Sequence, residues 1–281
     1  MESDRGPTKS QEAERLANRE LWDGWTELHE KSAFYDLDGF RAGGSSLNQL
    51  ERDELGEVAG KSLLHLQCHF GLDTLSWARL GARVTGVDFS ARSVALARSL
   101  AAELELPARF LHRDVYELAD TLEESFDIVY TSYGVLWWLP DLVAWANLIF
   151  AALTPGGVFY MAEFHPFLNL LDDRGRGPTG SYFAGAGPIR YEAAGSYAAP
   201  VGGEARECYG WAHSISEILT VLAEAGLELE FFREHPFSPY DCFPFLEEEA
   251  PGRHVLRGAS GGFPLVFSLR ARRAEVASPS R

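Results

Sequence analysis

Residues 64–74 read LHLQCHFGLDT and close an apolar run that begins at Ser62. An apolar run of strand length, then a loop, then a helix, marks the entrance to a nucleotide site in a doubly wound sheet. Loops of that kind are usually glycine-rich, and here only Gly71 is present. Histidines, a cysteine, a glutamine and a phenylalanine fill the other places. Three readings are open: a cofactor loop built differently, a metal site of His65, Cys68 and His69, or a loop that has lost its ligand.

The flanking sequence supports the sheet. Ser62–Gln67 has the length of a strand, and Leu72–Leu80 reads as a helix. Ala82–Val87 is a second strand, ending at Asp88. Ser90 suits the cap of the next helix, where Val94, Ala97, Ala101 and Leu104 recur at helical spacing. Ala108–His112 and Phe126–Thr131 are further strands, Asp141–Leu153 is helical, and Pro155-Gly156-Gly157 turns the chain into the strand Val158–Glu163. Strand and helix alternating in this way predict a parallel sheet with right-handed crossovers. Residues 167–210 are rich in Gly, Ala, Pro and Tyr and break the rhythm. A structureless loop of that length is unusual inside a domain, so a hairpin-bearing cap over the sheet's active edge is expected. Helix 214–225 is stopped by Gly226, and Leu227–Arg233 and Pro264–Arg270 supply two last strands.

Before the sheet, Glu12 to about Lys31 has a helical pattern, with Leu16, Leu21, Trp22, Trp25 and Leu28 on one face. An aromatic turn region, SAFYDLDGF, and a short helix over Leu47–Leu55 follow. Residues 1–11 and 274–281 are expected to be disordered tails. The 12–60 segment is expected to cover the site, and 61–273 to form the main domain.

The 281 residues suit one large α/β domain with an insertion or a small cap. No apolar run approaches the ~20 residues that span a bilayer. The start, MESDRGPTKSQEAER, has no signal-peptide core, and there are three scattered cysteines. A cytoplasmic location is therefore expected. The formal net charge of −16 argues against nucleic acid as a main partner. The basic stretch 269-LRARR-273 reads as the close of a final strand. Oligomeric state is left open.

In such a sheet, ligands sit at the carboxyl ends of the strands. The residues there are QCHFG after strand one, then Asp88, Phe89 and Ser90, then Asp114, then Ser132, Tyr133 and Gly134, then Glu163, Phe164 and His165. Asp88 lies 17 positions past Gly71, close to the spacing at which an acid meets a ribose. A carboxylate accepts from both ribose hydroxyls at once. The competing role is a helix N-cap. Asp114 suits a contact to the exocyclic amine of an adenine, against a solvated turn. The metal reading lacks support. Alternate side chains of a strand face opposite ways, so His65 need not converge with Cys68 and His69, and no second Cys-x-x-Cys or His-x₃-His completes a tetrahedral site.

LLHLQCHFGLDTLSWARLGARVTGVDFS, followed by RDVYEL, FDIVYTSYGVLWWL and LTPGGVFYMAEF, resembles the class I S-adenosylmethionine-dependent methyltransferases. The resemblance runs from about residue 61 to 163 and continues more faintly to the end. It implies a Rossmann-like, mostly parallel seven-stranded sheet with helices on both faces and an antiparallel last strand. It also implies S-adenosylmethionine as cofactor, with the loop after strand one at the methionine end. Asp88 would then bind the ribose, with Asp114 and the backbone of Val115 at the adenine. The family's first motif is acid, apolar, Gly, any, Gly, any, Gly; here those places hold His65, Leu66, Gln67, Cys68, His69, Phe70 and Gly71. A pyrophosphate needs the close backbone approach that glycines permit. S-adenosylmethionine has no phosphate, so side chains such as Gln67 and His69 can serve its amino-acid end.

Methyl transfer from a sulfonium is mainly a matter of positioning and of excluding water. A base is needed only if the acceptor has a proton to lose. Candidates are His165 and His213, with Tyr133 to orient an acceptor; each also has an ordinary structural role open to it, in a turn or a helix cap. Trp22, Trp25, Phe34, Tyr35, Tyr133, Trp137, Trp138, Tyr182, Phe183, Tyr191 and Tyr197 are expected near the site. Of these, Trp22, Trp25 and Trp137 read as packing residues, and Tyr35 as part of an N-terminal segment folded over the cofactor. The expectation is methyl transfer to a small molecule whose identity the sequence does not reveal. Two other readings stand beside it: a non-catalytic binding protein on the same fold, and a nicotinamide-dependent reductase, whose G-x-G-x-x-G loop is absent.

Overall fold

Side chains alternate in direction along a strand, so the unbroken buried runs at 63–66, 128–130 and 158–162 are covered on both faces of the sheet. The computed structural model describes residues 9–119, 121–185, 187–200, 204–258 and 262–275. Three helices come first: α1 (Lys9–Glu30), α2 (Leu37–Arg41) and α3 (Gln49–Leu55). The alternating part follows as β1 (Ser62–Leu66), α4 (Leu72–Arg79), β2 (Arg83–Asp88), α5 (Ala91–Glu103), β3 (Ala108–His112), α6 (Val115–Leu118), β4 (Phe126–Ser132), α7 (Leu142–Ala152) and β5 (Leu153–Phe164). Then come β6 (Ile189–Ala193), β7 (Arg206–Gly210), α8 (Ile215–Glu224), β8 (Leu227–His235), β9 (Leu246–Ala250), β10 (Arg253–Leu256) and β11 (Val266–Arg273).

The main sheet has the order β3-β2-β1-β4-β5-β11-β8. The first five strands are parallel, and β11 is antiparallel to both β5 and β8. The chain runs outward from β1 to β3, then returns to β4 on the other side. That reversal leaves a crevice at the carboxyl ends of β1 and β4. Leu64, Val129, Phe159 and Phe267 face α7 and α8, packing with Trp145, Ile149 and Leu222. Leu63, Ile128, Tyr130 and Tyr160 face the other way, onto Leu55 and Trp77.

Helix starts follow from caps. Ser90, Asp141 and Ser214 accept from the amides of Ser93, Ala144 and Glu217. Among the described residues, no helix is long and apolar enough to cross a membrane.

The structure adjusts several expectations. Helix α1 begins at Lys9, inside the expected tail; residues 1–8 and 276–281 lie outside the described residues. The aromatic turn region contains α2, capped by Asp36. Within 167–210 lies the antiparallel pair β6–β7, which is laid on α1. Asn18 of α1 holds Tyr209 as a neighbouring strand would, donating to its carbonyl at 2.8 Å and accepting from its amide at 2.9 Å. The hairpin β9–β10 was not anticipated, since LEEEA lacks apolar alternation.

Candidate active site

At the carboxyl edge, a cavity of about 740 Å³ opens between the sheet, α1 and the segments after β4, β5 and β8. Its floor is the loop after β1. The backbone there is left-handed at three alternate positions, with φ of 51° at Gln67, 51° at His69 and 80° at Gly71. These are the three glycine places of the motif. The backbone thus takes a glycine-favoured conformation at all three places. Left-handed backbone costs a non-glycine residue roughly 1–2 kcal/mol. Glycine is obligatory only at position 71, where a Cβ would lie 2.5 Å from the Phe110 ring.

Each side chain of the loop has a separate task. His65 belongs to the Tyr130 face of the sheet, with Nδ1 2.8 Å from Thr74 Oγ1, and burial pushes its pKa down to about 3. Cys68 is buried with Phe70 and Phe110, and burial raises its thiol. Gln67 Oε1 accepts from Thr131 at 3.2 Å, while its Nε2 is buried without a partner on the cavity wall. Among the described residues, no three His, Cys, Asp or Glu side chains form a metal-sized group.

His69 joins a buried chain whose direction can be deduced. Thr26 Oγ1 donates to the Trp22 carbonyl, so it must accept from Ser93 Oγ at 2.7 Å. Ser93 therefore accepts from His69 Nδ1 at 2.9 Å, and His69 Nε2 accepts from His29 Nδ1 at 2.8 Å. His29 Nε2 in turn accepts from Ser196 Oγ at 2.8 Å. Both rings are neutral in this arrangement. Burial lowers His29 to about 3 and holds His69 well below its usual value. The chain ties the loop to α1, α5 and the segment after β6. His29 was missed in the sequence, although it continues the face that carries Trp22 and Trp25.

Asp88 is not the N-cap; Ser90 is. Asp88 Oδ2 accepts from the His69 amide at 2.8 Å and Oδ1 from the Ser90 amide at 2.8 Å. Burial pushes its carboxyl up to about 6 against the pull of those amides. Asp88, Phe89 and Val115 line the cavity; Ser90 does not, and its hydroxyl donates to Asp23 at 2.6 Å. Asp114 caps α6 through the Tyr116 amide and accepts from Arg15 Nη1 at 2.6 Å. Arg15 is thus a cavity residue that the sequence did not disclose, and its Nε is buried without a partner. Tyr35 packs on Phe70, and its hydroxyl meets that of Tyr197.

Asp73, also unforeseen, lines the cavity and accepts from Ser46 Oγ at 2.6 Å and Ser132 Oγ at 2.9 Å. Burial raises its carboxyl. After β4, the loop is held by Glu163. Its carboxylate accepts from the amides of Val135 at 2.7 Å, Leu136 at 3.1 Å, Phe164 at 2.6 Å, and also Gly134.

The two histidines proposed as bases are engaged differently. His165 accepts from the Phe167 amide at Nδ1 and donates from Nε2 to Glu234 at 3.0 Å, leaving no nitrogen free. It shapes the turn at Pro166, as its structural alternative held. His213 donates from Nε2 to the Leu139 carbonyl at 2.8 Å, while Nδ1 is buried without a hydrogen bond, 3.4 Å from Glu217. The helix cap is Ser214, not His213. Tyr133 lines the cavity just after β4, and its buried hydroxyl has no partner. Trp22, Trp25 and Trp137, expected as packing residues, line the cavity as well. Tyr182, Phe183 and Tyr191 are not among its walls; Tyr182 meets the Ile215 amide and Tyr191 the Trp137 indole.

A sheet of this order, with acids after β2 and β3 beside a turn after β1, is the class I S-adenosylmethionine-dependent methyltransferase fold. Residues 63–157 match a family model described as a methyltransferase domain. Over 168 residues the chain is 33% identical to a ubiquinone biosynthesis O-methyltransferase of Psychrobacter cryohalolentis, covering 57% of this chain and 64% of that one. It is 36% identical over 103 residues to the enzyme of that name from Alkalilimnicola ehrlichii, covering 37% and 41%. The chain thus spans less than two thirds of the length of either relative. An S-adenosylmethionine-dependent methyltransferase from Mesorhizobium loti superimposes with a TM-score of 0.53 at 22% identity, covering 80% of this chain and 96% of that structure.

The residues present fit the cofactor. Buried polar atoms of Arg15, Trp22 and Gln67 lack protein partners along the cavity, and all three are donors. Acceptors stand among them at Asp73, Asp88 and Asp114. A ligand carrying ring nitrogens, a ribose and an amino acid would satisfy both sets.

Proposed function

We propose that the protein transfers a methyl group from S-adenosylmethionine to a small-molecule acceptor. The observation that carries this is the single cavity that begins at Asp88 and Asp114, passes Gln67 and ends at Tyr133 and Tyr240. In this reading Asp88 takes the ribose hydroxyls, Asp114 and the Val115 backbone meet the adenine, and Arg15 closes over that end. The Gln67 amide donates to the methionine carboxylate, and Asp73 accepts from its ammonium. The bound cofactor supplies an electrophilic methyl group. The chain's own part is to hold both reactants in line, with α1 and the β6–β7 segment limiting water.

The altered loop first suggested a non-catalytic protein. Left-handed backbone at all three positions supports a cofactor-binding loop, and the cavity's extension past Gln67 to Tyr133 and Tyr240 leaves room for an acceptor, which supports the catalytic reading. The relatives' names point to O-methylation, but the acceptor does not follow from the fold.

Calorimetric titration of the full chain with S-adenosylmethionine and S-adenosylhomocysteine tests the reading; one site for each is the expected result, and no binding of either would remove it. Gln67→Gly gives a sharper outcome. Glycine relieves the left-handed strain but is itself worth roughly 0.5–1 kcal/mol less through the unfolded chain. Stability should therefore change by no more than about 1.5 kcal/mol, while affinity for S-adenosylmethionine falls about tenfold. Unaltered affinity would take Gln67 out of the methionine subsite.

A further inference from the structure

The end of the cavity away from Asp114 has a chemistry of its own. Phe34, Tyr133, Phe164, Tyr197, Tyr240 and Phe243 line it. Neighbouring ring centroids are 5.1 Å apart for Tyr133 and Tyr240, 5.6 Å for Phe34 and Tyr240, and 5.7 Å for Tyr133 and Phe164. Among the described residues lining the cavity, the cationic side chains are Arg15 and Arg113. Both belong to the Asp114 end, and Arg15 is already paired there. Behind the aromatic wall, Asn48 donates both to the Tyr240 hydroxyl, at 2.9 Å, and to Glu51, at 3.3 Å. Glu51 is fully buried, and its second oxygen has no partner. Burial raises the Glu51 carboxyl to about 8, so it is mostly neutral at pH 7 and adds little charge. An anionic acceptor would meet aromatic faces here, with no cation among the lining residues at this end to receive it. A cation would meet ring faces, which attract positive charge.

The histidines limit the chemistry further. An O–H acceptor must give up a proton during transfer. His165 has both nitrogens engaged, as has His69; His65 bonds Thr74 through Nδ1 alone, but burial pushes its pKa down to about 3 and makes it a weak base; the one bare nitrogen of His213 is buried beside Glu217. Tyr133 keeps its proton, because burial raises its hydroxyl well above the usual value.

Resting on the methyltransferase reading above, we infer that the acceptor is an amine, bound against the Tyr133–Tyr240 wall and methylated on nitrogen. An amine that arrives as its ammonium first gives that proton to solvent; the freed nitrogen lone pair then attacks the methyl carbon, the carbon–sulfur bond breaks, and its electron pair stays on sulfur as a neutral thioether. The positive charge moves from sulfur to nitrogen and remains opposite the aromatic faces throughout. Any proton left on the product nitrogen goes to solvent after transfer. No group of the protein is asked to act as a base.

The test uses the full chain saturated with S-adenosylhomocysteine and titrated separately with benzyltrimethylammonium, benzyl alcohol and benzoate. The first probe mimics a methylated product. It should bind at least tenfold more tightly than either of the others. Tyr240→Leu should weaken it about tenfold, Tyr240→Phe less than threefold, and neither should change affinity for S-adenosylhomocysteine more than twofold. Equal or tighter binding of benzyl alcohol or benzoate overturns the amine acceptor, as does failure of the cation to bind while S-adenosylhomocysteine does. Absence of S-adenosylhomocysteine binding overturns the cofactor reading as well, and is scored separately in the saturating titration.

Discussion

Glu163→Gln should lower the stability of the folded chain by about 2–6 kcal/mol, the sum for two buried amides left without acceptors at roughly 1–3 kcal/mol each. The carboxylate receives four backbone amides, those of Gly134, Val135, Leu136 and Phe164. Glutamine offers one oxygen and, in place of the other, an NH₂ group that points donors at donors. Val135 and Leu136 share one carboxylate oxygen, so whichever way the amide is turned, one pair of amides loses its acceptor. The change removes no apolar volume, so packing cannot account for the loss. Urea unfolding of the two proteins measures it. A difference below about 1 kcal/mol would mean that the loop after β4 finds other partners.

The second large effect concerns Asp88. Asp88→Ala should weaken S-adenosylmethionine binding by about 3 kcal/mol, or some hundredfold, since hydrogen bonds to a charged group are worth roughly 1.5–3 kcal/mol each. Two consequences combine: the ribose loses its acceptor, and the amides of His69 and Ser90 lose the anchor that fixes the loop beside it. The pH dependence supplies an independent check. Burial raises Asp88 to about 6 in the free protein, and a ribose donating to its carboxylate favours the ionised form. Affinity should therefore be steady above that value and decline as pH falls below it, by up to about tenfold per unit. Asp88→Asn cannot titrate, so its weaker affinity should be flat over the same range. A wild-type affinity that stays level down to pH 5 would separate Asp88 from the ligand.

How much of this was legible in the sequence depended on the range of the interaction. The strands from Ser62 to Glu163 were readable because burial on both faces leaves long apolar runs, and Asp88 and Asp114 because strand ends are where ligands meet such sheets. β9 was hidden by its three consecutive glutamates, of which none is buried. Arg15, His29 and Asp73 were missed for another reason. Arg15 meets an acid 99 residues away and His29 a ring 40 residues away, and no local pattern encodes such pairings. One trace did exist for His29: a polar residue on the stripe that carries Trp22 and Trp25 needs a buried partner. The loop's shape was invisible because left-handed backbone at Gln67 and His69 is imposed by neighbours, not by residue type.

That shape bears on how the site meets its ligand. A loop with three glycines samples many backbone states when unfolded or open, and a ligand that orders it must offset the lost freedom. With glutamine at 67 and histidine at 69, fewer such states are available. The Ser93–His69–His29 contacts then hold the remaining one in place before any ligand arrives. The strain stored at two residues thus becomes rigidity at the binding surface, and association has less ordering to do. Glutamine and histidine at these two places make the loop a pre-set mould.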